Sequence, residues 1–323
     1  MKPLVLGAAH ESIVNGTRLV WGELGAGPPL VLLHGLWDSH RAWRRCAPLL
    51  APHFRLLMLD LPGHGWSGRP DAPYTMTWFA DMVGGWMDAI GVARAHVCGH
   101  SFGGGIAQCM LLTHRARIDR LALVDAGGLG RELAVTMRLA TVPLLGPLVT
   151  PFALRVGSPI VARYMPQLLG HMEPAEAEVV LRMCGIPGSA RAFQRALAAV
   201  VDLRGQRMQM AERVHEIPDL PPIALFWGAN DPMIPVHHAT RFLERLSGVS
   251  LAAYPGCGHF PQLDEAPAFA RDLTAYLNEP ARPAARLRGA RPRPAPASTG
   301  SRPRTPARAD DADAITASRR SAG

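Results

Sequence analysis

Gly99-His100-Ser101-Phe102-Gly103 follows directly on the apolar run Ala95-His96-Val97-Cys98, and Gly104 extends it. The order reads as a short strand, a sharp turn that carries a serine, and a helix over Ile106 to Leu112. The glycines have a steric purpose. A serine in a strained backbone conformation crowds the residues two places to either side, and only residues without a side chain fit there. Alone the pentapeptide is a weak signal. Its weight comes from what accompanies it along the chain.

Four further polar motifs each stand just beyond an apolar, strand-like run. Pro29-Leu30-Val31-Leu32-Leu33 ends in His34-Gly35-Leu36-Trp37. Phe54-Arg55-Leu56-Leu57-Met58-Leu59 ends in Asp60-Leu61-Pro62-Gly63-His64-Gly65-Trp66-Ser67. Downstream, Pro222-Ile223-Ala224-Leu225-Phe226-Trp227 runs into Gly228-Ala229-Asn230-Asp231-Pro232. Last, Ser250-Leu251-Ala252-Ala253-Tyr254 runs into Pro255-Gly256-Cys257-Gly258-His259-Phe260. Open parallel sheets carry their sites at the C-terminal ends of the strands, which is where all five motifs fall.

Ile13 to Trp21 reads as a hairpin that turns at Asn15-Gly16. From there strand and helix signals alternate as far as Ile118 to Val124, the pattern of a doubly wound α/β sheet. The next strand starts at Pro222. The gap from about Gly127 to Leu220 is far longer than an ordinary connection. It holds helix-like segments at Ala175 to Met183 and Ala190 to Val201, so an inserted helical unit is the natural reading. His237 to Leu246 and Ala266 to Leu277 read as the last helices of the core.

From about Gly16 to Leu277 the chain resembles the α/β-hydrolase superfamily, in its serine-nucleophile branch. The resemblance implies a mostly parallel sheet with a helical cap inserted at the gap. The expected organisation is a core over residues 1–126, a cap over 127–220, the rest of the core over 221–278 and a tail over 279–323. Serine, then acid, then histidine is that family's chain order. Ser101 is the expected nucleophile, and a serine hydroxyl needs an adjacent base at neutral pH. His259 is the expected base, in a Gly-x-Gly-His turn past the last strand. Asp231 is the expected acid, which would hold the imidazole tautomer. Asp125, at the end of Leu121-Ala122-Leu123-Val124, is the alternative acid, because some members of the superfamily place it there.

The resemblance also implies an oxyanion hole formed by the backbone N–H groups of Phe102 and Leu36. His34 and His64 read as structural residues of their loops, and His100 as packed on the core. Trp37, Leu145, Leu148, Phe152 and Phe260 are the expected pocket residues, with Phe102, Trp66, Leu144 and Val149 as further candidates. The implied activity is hydrolysis of a carboxylic ester or related acyl compound through an acyl-enzyme. Serine in the elbow argues against epoxide hydrolases and haloalkane dehalogenases, whose nucleophile is a carboxylate. A meta-cleavage-type C–C hydrolase is the alternative enzyme. Those enzymes have asparagine before the serine and tryptophan after the histidine, where this chain has His100 and Phe260. A hydrolase-fold binding protein without turnover is the alternative of another class.

Composition bounds the rest. With 323 residues, 48% of them hydrophobic, there is ample material for a large core. The net charge is +8, but ten arginines against one glutamate and three aspartates fall from Glu279 onward. The body carries little excess charge and the tail has no aromatics for stacking on bases, so no nucleic-acid partner is expected. That tail, rich in Arg, Pro, Ala and Ser, lacks the apolar surface to offset its ordering entropy and reads as disordered. Cys46, Cys98, Cys109, Cys184 and Cys257 are odd in number and widely spaced. They exclude a C-x-x-C zinc or redox site and fit a reducing, cytoplasmic setting. Leu139 to Leu154 is the longest uncharged apolar stretch, too short and too broken by proline to span a bilayer. There is no phosphate-binding, zinc-protease or dinucleotide motif, so neither a cofactor nor a metal is expected.

Overall fold

Short runs of Leu, Val, Ile and Ala that are buried on both faces pair as parallel strands. The computed structural model describes residues 5–141, 173–207, 210–217, 219–280 and 284–288. Its frame is β1 (Ala8–Val14), β2 (Thr17–Leu24), β3 (Pro29–Leu33), β4 (Arg55–Leu59), β5 (Ala95–His100), β6 (Ile118–Val124), β7 (Ile223–Gly228) and β8 (Val249–Tyr254). They form one eight-stranded sheet in the order β1-β2-β4-β3-β5-β6-β7-β8. Strands β3 to β8 are mutually parallel, and β1 and β2 add an antiparallel hairpin at one edge. The hairpin turns where Asn15 and Gly16 both take positive φ, as a two-residue turn of this hand requires.

Alternation along each strand splits the apolar residues into two cores. Val31, Leu33, Val97, Leu123 and Leu225 face one way, and their neighbours Leu32, Cys98, Val124 and Phe226 face the other. On the first face lie α1 (Met76–Ala89) and α2 (Phe102–Thr113). Helix α1 presents Phe79, Met82, Val83, Trp86 and Met87, which recur at i, i+3 and i+4 and make one continuous apolar stripe. The second face is covered by residues 40–50 and by the last long helix, Ala266–Asn278, through Phe269, Leu273 and Tyr276.

Between β6 and β7 the described residues hold α3 (Val135–Leu139), α4 (Pro174–Cys184) and α5 (Ser189–Val200). A two-residue ladder follows, Val201–Asp202 on Gly205–Gln206. These elements are tied to the loops above the sheet. Arg41 makes a bidentate contact with Glu176 at 2.6 Å, and Arg69 reaches Ser189 Oγ and the carbonyl of Met183, both at 3.1 Å. The Trp37 ring packs on Phe193 at 4.4 Å.

The expected tail boundary at 279 requires correction. Arg286–Leu287 pairs antiparallel with Leu246–Ser247, Ala285 is buried, and its N–H donates to the carbonyl of Pro221. The physical reason is local. One small and one large apolar residue, Ala285 and Leu287, suffice to close a two-residue ladder over the end of the helix His237–Arg245. The compact unit therefore runs to Arg288.

Candidate active site

The elbow is built as its glycines require. Ser101 follows β5 directly, at φ +51°, ψ −114°, a conformation that costs a non-glycine residue about 1–3 kcal/mol. Backbone hydrogen bonds hold it there: Ser101 N–H donates to Val124, and its carbonyl accepts from Gly105 and Gly127. A Cβ on Gly99 would stand 2.5 Å from the Gly103 carbonyl oxygen, and one on Gly103 would stand 2.3 Å from that of Leu33. No side chain fits at either place.

The loops after β7 and β8 bring the other two members. Ala229 N–H donates to the carbonyl of Tyr254, and Asn230 N–H to that of Cys257. The loops approach so closely that a Cβ on Gly228 would meet the Gly258 carbonyl oxygen at 1.8 Å. Asp231 is buried, and its Oδ1 accepts the N–H groups of Met233 at 2.7 Å and Ile234 at 3.0 Å. Its Oδ2 lies 2.7 Å from His259 Nδ1. Across the ring, His259 Nε2 lies 3.0 Å from Ser101 Oγ. Nδ1 therefore carries the proton toward the carboxylate, and Nε2 presents a lone pair to the hydroxyl.

Of the two acids weighed from sequence, Asp231 is the one hydrogen-bonded to His259. Asp125 instead accepts the Gly228 N–H at 3.0 Å. Burial, and then the charge of Asp231, push the Asp125 carboxyl well above the usual carboxylate range. His34 is locked as a neutral ring: Nδ1 donates to the Gly35 carbonyl and Nε2 accepts the Leu61 N–H. Burial lowers it to about 4 and lowers His64, which sits over Phe102, to about 3. His100 is buried, and its Nε2 lies 2.8 Å from the carbonyl oxygen of His259. The residue in the variable position of the elbow thus anchors the histidine loop. Burial pushes the Cys257 thiol up to about 12, well away from thiolate chemistry.

A cleft open to solvent leads to Ser101 and His259. Leu36 and Phe102, the two expected oxyanion donors, both line it. Most of the wall comes from residues that sequence reasoning missed: Met76, Leu133, Met137, Leu197, Val200 and Met233. The signal available for Leu197 and Val200 was their i, i+3 spacing on a helix of the insertion.

Two expected pocket residues point elsewhere. Trp37 takes φ +63° and lines a second, smaller cleft with His64, Arg69, Met183 and Phe193, where its indole N–H donates to Cys184 Sγ. Phe260 packs 5.0 Å from the His100 ring and 5.3 Å from the His259 ring and does not line the cleft. Leu144, Leu145, Leu148, Val149 and Phe152 lie outside the described residues.

Among the described residues, two groups bring three potential metal ligands within 4.8 Å of one another. One is Asp125, Asp231 and His259. The other is Glu132, His237 and His238, where Glu132 already holds His238 at 2.8 Å and Arg241 at 3.1 Å. The arginine's charge opposes a second cation there.

An open parallel sheet with a strained serine between β5 and α2, and a histidine and a carboxylate converging on it, defines the class of nucleophile-elbow α/β proteins. The family described as "alpha/beta hydrolase fold" matches residues 28–266, and the chain belongs to it. An uncharacterized protein of Mycobacterium tuberculosis is 32% identical over 279 residues, covering 83% of this chain and 81% of its own. The 2-hydroxymuconate semialdehyde hydrolase of Pseudomonas sp. strain CF600 is 30% identical over 278 residues, covering 84% and 94%. The crystal structure of the enol-lactonase from Burkholderia xenovorans LB400 superposes with a TM-score of 0.67 at 22% identity, over 83% of this chain and 97% of its own.

Proposed function

We propose that this α/β-hydrolase cleaves a neutral, apolar carboxylic ester, or a related acyl compound, through an acyl-enzyme on Ser101. The observation that carries the reading is the unbroken chain from Ser101 Oγ through His259 to Asp231, at 3.0 and 2.7 Å. In the first half-reaction Ser101 Oγ attacks the carbonyl carbon while His259 Nε2 takes its proton. The tetrahedral oxyanion is held by the N–H groups of Phe102 and Leu36. Phe102 is the first residue of α2, whose leading amides have no carbonyl partner within the helix. The imidazolium, steadied by Asp231, then returns the proton to the leaving alcohol. Water repeats the sequence on the acyl-enzyme.

The lining of the cleft supports an apolar acyl group. Gln206 is its one polar side chain besides Ser101 and His259 among the described residues. Both ends of its amide are engaged, by the Gly128 N–H and the Glu132 carbonyl. The second reading is C–C hydrolysis, favoured by the similarity to 2-hydroxymuconate semialdehyde hydrolase. The substrate of that relative is anionic, whereas no cationic side chain lines this cleft among the described residues. A cytoplasmic site of action is part of the proposal. It is supported by five unpaired cysteines, four of them buried, and by the lack of any described helix long and apolar enough to cross a membrane.

The test is a substrate panel of p-nitrophenyl esters, lactones, thioesters and vinylogous 1,5-diketones. Turnover of short apolar esters, lost in Ser101→Ala by roughly three orders of magnitude or more, is the expected outcome. Preferential turnover of an anionic diketone would transfer the assignment to the C–C hydrolases.

A further inference from the structure

Asp125 follows β6 directly, at φ +40°, and is fully buried, although the hydrogen-bonded pair Asp231 and His259 makes no direct use of it. Its Oδ1 accepts the Gly228 N–H at 3.0 Å, while Oδ2 is buried and finds no N–H donor among the described residues. What does face the Asp125 carboxyl is a second carboxyl. Asp125, Asp231 and His259 each bring a polar atom within 4.8 Å of the other two. The charged neighbours that act on it are Asp231 and Asp264, both acidic, and Cys257 and His259 complete the titratable groups around it.

Two ionised carboxylates this close, away from water, repel strongly, and one of them takes up a proton. The Asp231 oxygens are already engaged by the N–H groups of Met233, Ile234 and His259, whereas Asp125 Oδ2 has no such partner. The proton belongs on Asp125 Oδ2, where it also turns an orphaned acceptor into a donor.

We propose that Asp125 is a neutral carboxylic acid whose Oδ2–H donates to the Asp231 carboxylate, and so acts as a positioning residue for the Asp231–His259 pair. Its role rests on Asp231 being the acid of the triad. Asp231 then receives four donors: two backbone N–H groups, the imidazole N–H and the Asp125 hydroxyl. The fourth donor fixes the plane of the carboxylate beneath His259. Burial and the Asp231 charge favour the protonated form of Asp125 in the same direction.

Infrared spectroscopy and steady-state kinetics on the full chain test this together. At neutral pH the wild type should show the carbonyl stretch of a buried, protonated carboxylic acid, and Asp125→Asn should lack it. Asparagine keeps both functions, since its amide N–H₂ donates to Asp231 and its oxygen accepts from Gly228. Asp125→Asn should therefore stay within about threefold of wild type in kcat, and its alkaline limb should move to higher pH, because it has no proton to lose. Asp125→Ala removes the donor. Its kcat should fall about ten- to a hundredfold with KM little changed, the size expected for one hydrogen bond to a charged group. If Asp125→Ala does not fold, the infrared band and the Asp125→Asn pH profile still decide. No lost band, superimposable pH profiles, or an Asp125→Ala enzyme as fast as wild type would overturn the proposal. Failure of the triad itself would register separately, in Ser101→Ala or Asp231→Asn turning over normally with the infrared band intact.

Discussion

Asp231 and Gly228 stand three residues apart and fail in different ways when altered. Asp231→Asn keeps the shape but offers His259 an amide, which can hold the ring in the wrong tautomer. Ester turnover should drop by about four orders of magnitude while the melting temperature barely moves, as kinetics and calorimetry on the same preparation will show. Gly228→Ala does the reverse in part. Its methyl would collide with the Gly258 backbone, so the loops carrying Asp231 and His259 must separate. We expect a loss of about 1–3 kcal/mol in unfolding free energy, together with reduced turnover. An alanine enzyme with wild-type stability and rate would mean that this approach is unimportant. At this scale the sequence was legible where a residue's position follows from a strand end, as for Ser101, Asp231 and His259. It was not legible for Trp37 and Phe260. The direction of a loop side chain depends on a backbone angle, φ +63° at Trp37, and on partners distant in the chain such as Phe193 and His100.

Whole elements were legible in proportion to the length of their pattern. Six parallel strands and the last helix follow from runs of four or more residues. The ladder of Arg286–Leu287 on Leu246–Ser247 follows from two, and no periodicity exists in two residues. The lining of the cleft by Leu197 and Val200 was hidden for another reason. Helical spacing shows that a face is apolar, but only packing shows what that face covers. The C-terminal segment gives the test at this scale. A chain ending at Arg288 should match the full chain in Tm and in ester kinetics, because residues 289–323 contain a single large apolar residue, Ile315. A chain ending at Asn278 loses Ala285 and the two-residue ladder. Its Tm should fall by a few degrees, at about 2–4 °C per kcal/mol for a domain of this size. Equal melting of the two truncated chains would show that the ladder adds nothing.

For the whole molecule, buried titratable groups set how stability varies with pH. His34 and His64 bind a proton less tightly folded than unfolded, at about 4 and about 3 against an ordinary value near 6.5. Their contribution is complete above about 6.5 and is lost as the pH falls through the two folded values, on the order of 3 kcal/mol for His34 and about 5 kcal/mol for His64. Asp125 has the opposite sign. Its folded form holds the proton more tightly, so its contribution is present below the unfolded value near 3.8 and is lost as the pH rises toward the folded one. Urea denaturation between pH 4 and 7 should show stability declining toward acid. His64→Gln, which keeps a donor for the Pro62 carbonyl but cannot titrate there, should flatten that decline. An unchanged slope would remove His64 from the explanation.

All of this architecture converges on one atom, Ser101 Oγ, and covalent chemistry there is the most direct question to ask. Wild type and Ser101→Ala should be treated with a fluorophosphonate, and the adduct located by peptide mass spectrometry. The expected result is a single adduct on Ser101, and no adduct in Ser101→Ala. A wild type that takes no label, or a label that persists on another residue in Ser101→Ala, would contradict the serine-hydrolase assignment.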